Sequence, residues 1–376
     1  MNAENSYEAR LKEKVVKLRW HKLHLDPFLL FMLILLATIG LFILYSASNA
    51  SPVVVEKQGY RLILSFVLMC TFAQISPHHY KQWAPWLYCI GFVLLLAVLV
   101  IGKVDLGARR WISLGFIRFQ PSEIMTLAMP IMLAWFLSEK PLPPRFLPIL
   151  LAGLMIIAPV LLIAKEPDLG TAIVVTFAGF FVLLLAGIRW RFIGILTGVL
   201  VALSPVIWHF MHPYQKDRVL TFLNPERDPL GSGYHIIQSK IAIGSGGLFG
   251  KGWMQGTQSH LSFLPAHTTD FIFAVSGEEL GLLGCLGILV IFLMIFSRCL
   301  FISLQAQDNF TRLLAGSLGL TFIASAFINL GMVTGILPVV GVPLPLISYG
   351  GSSMITLMIN FGMIMSIQTH RRLWSS

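Results

Sequence analysis

A chain of 376 residues that is 56% hydrophobic and only 12% charged lies outside the range of soluble domains, and no part of it reads as a separate soluble domain. Its net charge of +10 does not indicate nucleic-acid binding, because the cations gather before the first apolar run and in alternate connections. Cys70, Cys89, Cys285 and Cys299 lie in or beside apolar runs and read as small buried side chains, not as disulfides or metal ligands. No CxxC, HExxH, P-loop or Rossmann fingerprint occurs.

In chain order, residues 1–26 form a basic segment in which Arg10, Lys12, Lys14, Lys17, Arg19 and Lys22 place the N-terminus in the cytoplasm. Its stretch ARLKEKVVKLRWHKL fits either an amphipathic helix on the membrane or a solvated tail. The first apolar run has full spanning length and follows a long charged segment, so no cleavable signal peptide is expected. Apolar runs of around twenty residues then begin near Pro27, Arg61, Trp83, Glu123, Leu147, Gly170, Phe192, Phe271, Leu313 and Leu346. In lipid only helices and closed barrels satisfy the backbone, so this pattern predicts an all-α polytopic membrane protein. About ten transmembrane helices are expected in a single domain over residues 27–370, with a long extracytoplasmic loop, about 213–269, between the seventh and eighth. Arg189, Arg191, Arg298 and Arg312 fall in connections on the cytoplasmic side, and Arg371 and Arg372 lie in a short cytoplasmic tail, 371–376. No internal repeat is visible, which disfavours inverted-repeat transporters.

The outer connections break these rules. VDLGARRWISLGFIRFQPSE carries Lys103, Arg109, Arg110 and Arg118 against the positive-inside bias, either as a chance exception or as the mark of an anionic ligand on the outer face. QPSEI reads as a helix start with Glu123 in the first turn, serving a site or only the helix dipole. AKEPDLGT places Lys165, Glu166 and Asp168 in a tight break marked by Pro167 and Gly170; its charges are either solvated or part of a polar cluster. The long loop contains Tyr234, Ile236, Ile237, Ile241 and Ile243, which predict an ordered short helix. Its GSGGLFGKG string resembles a phosphate cradle, with a flexible turn as the plainer reading. His235, His260 and His267 lack metal-ligand spacing. Asp270 stands where this loop enters the apolar run at Phe271, either as a helix cap or as a reactive acid kept at a costly depth. Glu278 and Glu279 lie about two turns further on; they either favour a path through the bilayer or, as expected here, pair with a Lys or Arg of a neighbouring helix. The last connection, GILPVVGVPLPLISYGGSS, is uncharged and rich in Pro and Gly, so irregular backbone lining a pocket is expected there.

Taken together, GARRWI…RFQPSE, EPDLGT, YHIIQSKIAIGSGGLFGKGW…GTQS, FLP…TDFIFAV..EELG and LPVVGVPLPLISYGGSS resemble the SEDS family in that order, from end to end, and more closely its rod-shape elongation branch than its division branch. The resemblance implies a peptidoglycan glycosyltransferase that polymerises lipid II at the outer face of the bacterial inner membrane. It implies a class B penicillin-binding transpeptidase and other elongation-complex membrane proteins as partners. The family's essential aspartate falls on Asp270, its recurrent polar positions on Arg110, Glu123 and Asp168, and its pocket-lining SYGGSS on Ser348, Tyr349 and Ser352. Two departures stand out: Ala266 and Thr268 replace a Glu and a His after FLP, and Thr126 replaces a Lys beside Glu123.

The chemistry so implied joins the 4-hydroxyl of one GlcNAc to the MurNAc of another unit, displacing a lipid diphosphate. A sugar hydroxyl gains about 10²–10⁴-fold from a positioned base, the role expected of Asp270. The departing diphosphate needs charge stabilisation, for which Arg109, Arg110 and Lys251 are candidates. Asp270 as ligand of a divalent cation, Mg or Mn, is an alternative role. A lipid II flippase is the competing function; it would spread ionisable groups to both faces, whereas these map outside. A scaffold for other cell-wall proteins is a third.

Overall fold

The computed structural model describes residues 23–105, 108–114, 117–211, 213–228, 231–260, 264 and 266–370. The basic segment before Leu23 and the tail after His370 lie outside that set. Seven helices lead to the long connection: α1 (Pro27–Ala47), α2 (Pro52–Gln74), α3 (Pro77–Ile101), α4 (Pro121–Ser138), α5 (Phe146–Lys165), α6 (Leu169–Leu185) and α7 (Trp190–Phe210). The first four begin on a proline, whose fixed φ suits a helix start and whose missing N–H would have had no helical partner. Asp26 caps α1 by accepting from the Leu29 N–H at 2.9 Å, and it also takes the Arg298 guanidinium through Nε and a terminal nitrogen. The long connection holds α8 (Pro213–Leu223), a 3₁₀ turn, α9 (Ser232–Gly246) and α10 (Thr257–His260). α11 (Ile272–Leu304), α12 (Asn309–Val333) and α13 (Ser352–Thr369) complete the bundle.

Six helices, α1, α3, α4, α5, α11 and α12, are long and apolar enough to cross a membrane. α6 and α7 are apolar but shorter by that measure. α2 and α13 carry more polar residues and pack against each other more extensively than any other helix pair. α4 and α12 are the most enclosed helices, each about two-thirds buried (67%) along its apolar window. Two expected starts move. α2 begins at Pro52, ahead of Arg61, because a helix with Glu56 and Lys57 in its opening turns needs no apolar run. The final run, expected near Leu346, becomes helical only at Ser352, since the segment before it is irregular.

The all-helical expectation holds for the fold, and one connection adds a short β element. The Arg-rich connection is a small antiparallel meander of β1 (Lys103–Asp105), β2 (Ala108–Leu114) and β3 (Ile117–Phe119), with Val104 opposite Arg109 and Ile112 opposite Phe119. Its alternating aromatic and β-branched residues suit a pleated ribbon, a signal too short to register beside the apolar runs.

Candidate active site

Asp270 ends the long connection in a turn where the Thr269 and Phe271 N–H groups donate to the Ala266 carbonyl at 3.0 and 3.2 Å. Phe271, not Asp270, occupies the N-cap position before α11 and no side chain caps the helix, so the cap reading of Asp270 does not hold. The turn is fixed from two distant elements. Asn329 Nδ2, on α12, donates to the Asp270 carbonyl at 2.9 Å and to the Val342 carbonyl at 2.7 Å. Ser348 Oγ donates to the Thr269 carbonyl at 2.6 Å while accepting from the Leu344 N–H at 2.8 Å. The Tyr349 N–H donates to the Thr268 carbonyl at 2.9 Å. Asp270 Oδ2 lies 3.7 Å from where a Cβ on Gly341 would stand, so the carboxylate borders the Gly-Pro connection. Burial raises the Asp270 carboxyl above the usual carboxylate range, and the positive charge of Arg218 on α8 opposes that shift.

That connection also forms one wall of a pocket of about 810 Å³, its mouth included, closed by α4, α6, α12 and α13. Glu123, Thr126, Thr321, Ser325, Ser348 and Asn360 supply its polar lining among apolar residues. Thr126 does not replace a cation for Glu123. Its hydroxyl donates to the Glu123 carbonyl at 2.7 Å, and among the described residues Glu123 forms no ion pair. Asp168 is a true N-cap, accepting from the Thr171 N–H at 3.3 Å, from Ser122 Oγ at 3.4 Å and from Gln120 Nε2. Arg110 donates to the carbonyls of Glu166 and Pro167, tying the meander to this break. EPDLGT and the Arg-rich connection thus form one polar cluster. Within it Glu166 is fully buried (0% exposed), and neither carboxyl oxygen has a hydrogen-bond partner. Burial, reinforced by Asp168 and opposed by Arg110, raises its pKa to about 8.

The long loop docks on α11 through backbone. α11 breaks its helical geometry at Gly281 (φ 67°), and there the N–H groups of Leu282 and Leu283 donate to the carbonyls of Gly247 and Leu248 at 3.0 and 3.2 Å. In return the Lys251 and Gly252 N–H groups donate to the carbonyls of Glu278 and Glu279 at 3.0 and 3.1 Å. A Cβ on Gly250 (φ +80°) would stand 2.1 Å from the Glu279 carbonyl oxygen, so only glycine permits this approach. GSGGLFGKG is therefore an ordered docking turn: the Lys251 and Gly252 amides are spent on α11 and the Gly250 amide on the Gly246 carbonyl. Glu278 finds its cation in this loop instead of a neighbouring helix: Lys251 Nζ lies 2.7 Å from Oε1. The same carboxylate accepts from the Thr257 N–H at 2.8 Å and the Gln258 N–H at 3.1 Å. Lys251, expected at the substrate, is thus engaged by Glu278. Glu279 accepts from Ser46 Oγ at 2.5 Å.

Ser352 opens α13, its carbonyl accepting from Thr356 Oγ1 at 3.0 Å, while the Arg109 side chain lies outside the described set. All four cysteines are free. Among the described residues no three His, Cys, Asp or Glu are grouped to hold a metal ion. Sequence reasoning missed Asn329, Gln120, Gln58 and Arg218. The first had a signal: an amide inside an apolar helix is costly unless its donors are used.

A family model described as "Cell cycle protein", FTSW_RODA_SPOVE, matches residues 27–373. The chain is 50% identical to the peptidoglycan glycosyltransferase MrdB of Escherichia coli over 95% of its own length and 96% of that protein's. It is 35% identical to a probable peptidoglycan glycosyltransferase FtsW of Geobacter metallireducens, covering 92% of this chain and 95% of the other. Among solved structures it resembles a chain from a study of structural coordination of polymerization and crosslinking by a peptidoglycan synthase complex, with a TM-score of 0.81, 34% identity, and coverage of 93% and 99%. It also resembles the rod shape determining protein RodA of Thermus thermophilus, with a TM-score of 0.70, 29% identity, and coverage of 92% and 96%. Family model, relatives and fold agree over nearly the whole chain, which belongs to the FtsW/RodA/SpoVE family of cell cycle proteins.

Proposed function

We infer that this protein is a peptidoglycan glycosyltransferase that polymerises lipid II into β-1,4 glycan, and that Asp270 is its general base. The observation that carries the assignment is a half-buried carboxylate, free of capping, on a turn whose backbone carbonyls are held by Asn329, Ser348 and Tyr349 beside a largely apolar pocket with a few polar groups. Ten helices in the order described fit ten spans with both termini in the cytoplasm and Asp270 at the outer face. Relatives bearing the glycosyltransferase name, and likeness to a complex that couples polymerisation with crosslinking, support the reaction and a class B penicillin-binding transpeptidase as partner.

In this mechanism the acceptor's 4-hydroxyl approaches Asp270, which removes its proton as the oxygen attacks C1 of the donor MurNAc. The C1–O bond to diphosphate breaks on the opposite face, so one displacement inverts the anomeric centre. The raised basicity of a half-buried carboxylate suits proton removal from a weak nucleophile. Cations must meet the charge that builds on the leaving diphosphate. In the alternative role, Asp270 would hold Mg or Mn, with the remaining ligands coming from diphosphate and water, because the described residues form no three-ligand group. The flippase reading loses its main support. Glu278 and Glu279, the acids furthest along a span, serve the docked loop and Ser46, not a path through the bilayer.

The test is Asp270→Asn in purified protein with its transpeptidase partner, given lipid II and read as glycan length on a gel. Folding and insertion should persist while polymerisation is lost; full-length glycan from this variant would remove the base assignment. A base must be ionised, so activity should fall as pH drops through the raised Asp270 pKa. Arg218→Ala removes the charge that opposes the shift and should move that acid limb to higher pH.

A further inference from the structure

We propose that Arg61 of α2 binds the phosphate-bearing headgroup of a lipid at the turn that fixes Asp270, and that the headgroup is the diphosphate of the polyprenyl-linked substrate. The proposal rests on the polymerase reading above. Its starting point is a cation with no counter-charge. The Arg61 Cζ lies 4.6 Å from the centroid of the Tyr349 ring, and among the described residues its guanidinium makes no ion pair and no hydrogen bond. The exposed residues that follow it on the helix, Ile63, Leu64 and Val67, are apolar, while Lys57 precedes it by one turn and Glu56 accepts from the Tyr60 hydroxyl. An unpaired guanidinium beside a lipid-facing surface is expensive, and an anionic ligand removes that cost.

The placement is tied to the reacting end of the molecule. Gln58, one turn earlier on α2 and only 2% exposed, donates through Nε2 to the Ser348 carbonyl at 3.2 Å and accepts from the Gly350 N–H at 3.4 Å. These contacts register α2 against the turn from Ser348 to Gly351. Arg61 Nε stands 3.7 Å from where a Cβ on Gly351 would be, so the guanidinium lies against the start of α13. The N–H of Tyr349 meanwhile holds the Thr268 carbonyl, two residues before Asp270. The first turn of α13, which begins next to Gly351, contains no acid to neutralise the guanidinium.

Stacking uses the face of the guanidinium and leaves its in-plane N–H fork for a phosphate, the geometry that lysine cannot reproduce. The other expected clamp cations with described side chains are occupied: Arg110 by the Glu166 and Pro167 carbonyls, Lys251 by Glu278. Arg61 is therefore a cation still open to the diphosphate of the bound lipid before reaction, and the exposed apolar residues of α2 offer a path for the polyprenyl chain.

The experiment uses the full chain with its transpeptidase partner in nanodiscs of neutral phosphatidylcholine. Binding of polyprenyl diphosphate is compared with that of polyprenyl alcohol for the natural protein, Arg61→Ala and Arg61→Lys, and lipid II polymerisation is followed on the same samples. The expected result is binding of the diphosphate and not the alcohol, weakened at least tenfold by Arg61→Ala and partly restored by Arg61→Lys. KM for lipid II should rise at least tenfold in Arg61→Ala with kcat within twofold, a split that a general folding defect would not produce. Equal diphosphate binding and equal KM in the natural protein and Arg61→Ala would overturn the proposal. So would phosphatidylglycerol displacing the diphosphate at equal concentration, since Arg61 would then hold an ordinary bilayer lipid. Diphosphate binding through Arg61 without any glycan synthesis would leave this site standing and remove the polymerase reading. Glycan synthesis with an unchanged KM would do the reverse.

Discussion

Asn329→Ala is the sharpest test of how the reacting carboxylate is held. Asn329 is fully buried (0% exposed), and its one amide nitrogen serves two carbonyls, those of Asp270 and Val342. It thereby joins the start of α11 to the Gly-Pro connection across α12. Each net hydrogen bond is worth about 0.5–1.5 kcal/mol, and each buried carbonyl left unsatisfied costs about 1–3 kcal/mol. Two such carbonyls set the expected destabilisation at about 2–6 kcal/mol, the upper part applying if no water enters. The catalytic effect should be larger than this suggests. A misplacement of about 1 Å can lower a rate by about 10²-fold, so polymerisation should fall by that order while lipid II still binds. Asn329→Asp keeps the shape but replaces the donor with an acceptor facing two carbonyls, and should be worse than Asn329→Ala. The assays are thermal unfolding in detergent and lipid II polymerisation at saturating substrate. If Asn329→Ala and Asn329→Asp both lose some thermal stability yet polymerise within twofold of the natural protein, Asn329 does not set the position of Asp270, and the positioning argument is wrong.

Two further predictions concern the polar cluster and the docked loop. Glu166 has a folded pKa raised to about 8 from an ordinary 4.5, so the folded state holds the extra proton between those values. Its stabilising contribution is complete below the unfolded value and is lost as pH rises toward about 8. The melting temperature of the natural protein should fall over that window, and Glu166→Gln should flatten the fall and melt higher at its alkaline end; an unchanged slope would contradict this. Glu278→Ala removes the partner of the part-exposed Lys251 together with the acceptor for the Thr257 and Gln258 N–H groups, each orphaned buried donor costing about 1–3 kcal/mol. Limited proteolysis should then cut within 247–260, whereas Lys251→Met, which spares the backbone contacts of Glu278, should be cut more slowly. Equal protection of both variants would show that the carboxylate does not hold the loop.

The spanning architecture was legible in the chain because a bilayer imposes its demand locally: twenty apolar residues reveal a helix whatever they pack against. The same held for Asp168 and Gly170, whose helix-break chemistry depends on near neighbours in sequence. Asp270 was legible as a carboxylate at an apolar boundary, but its freedom from capping was not, because that depends on Phe271 taking the N-cap position before α11. The meander around Arg110 was too short for any pattern to separate it from a loop. What only the tertiary structure decided was the pairing of groups far apart in the chain. Lys251 went to Glu278, Arg110 to the carbonyls of Glu166 and Pro167, Asn329 to Asp270 and Val342, and Arg61 to the ring of Tyr349. Hydrogen bonds and ion pairs act over a few ångströms in space, with no regard to separation along the chain. The types of residue needed for the chemistry could therefore be read in order, while which cation is spent on structure and which is left for a ligand could not.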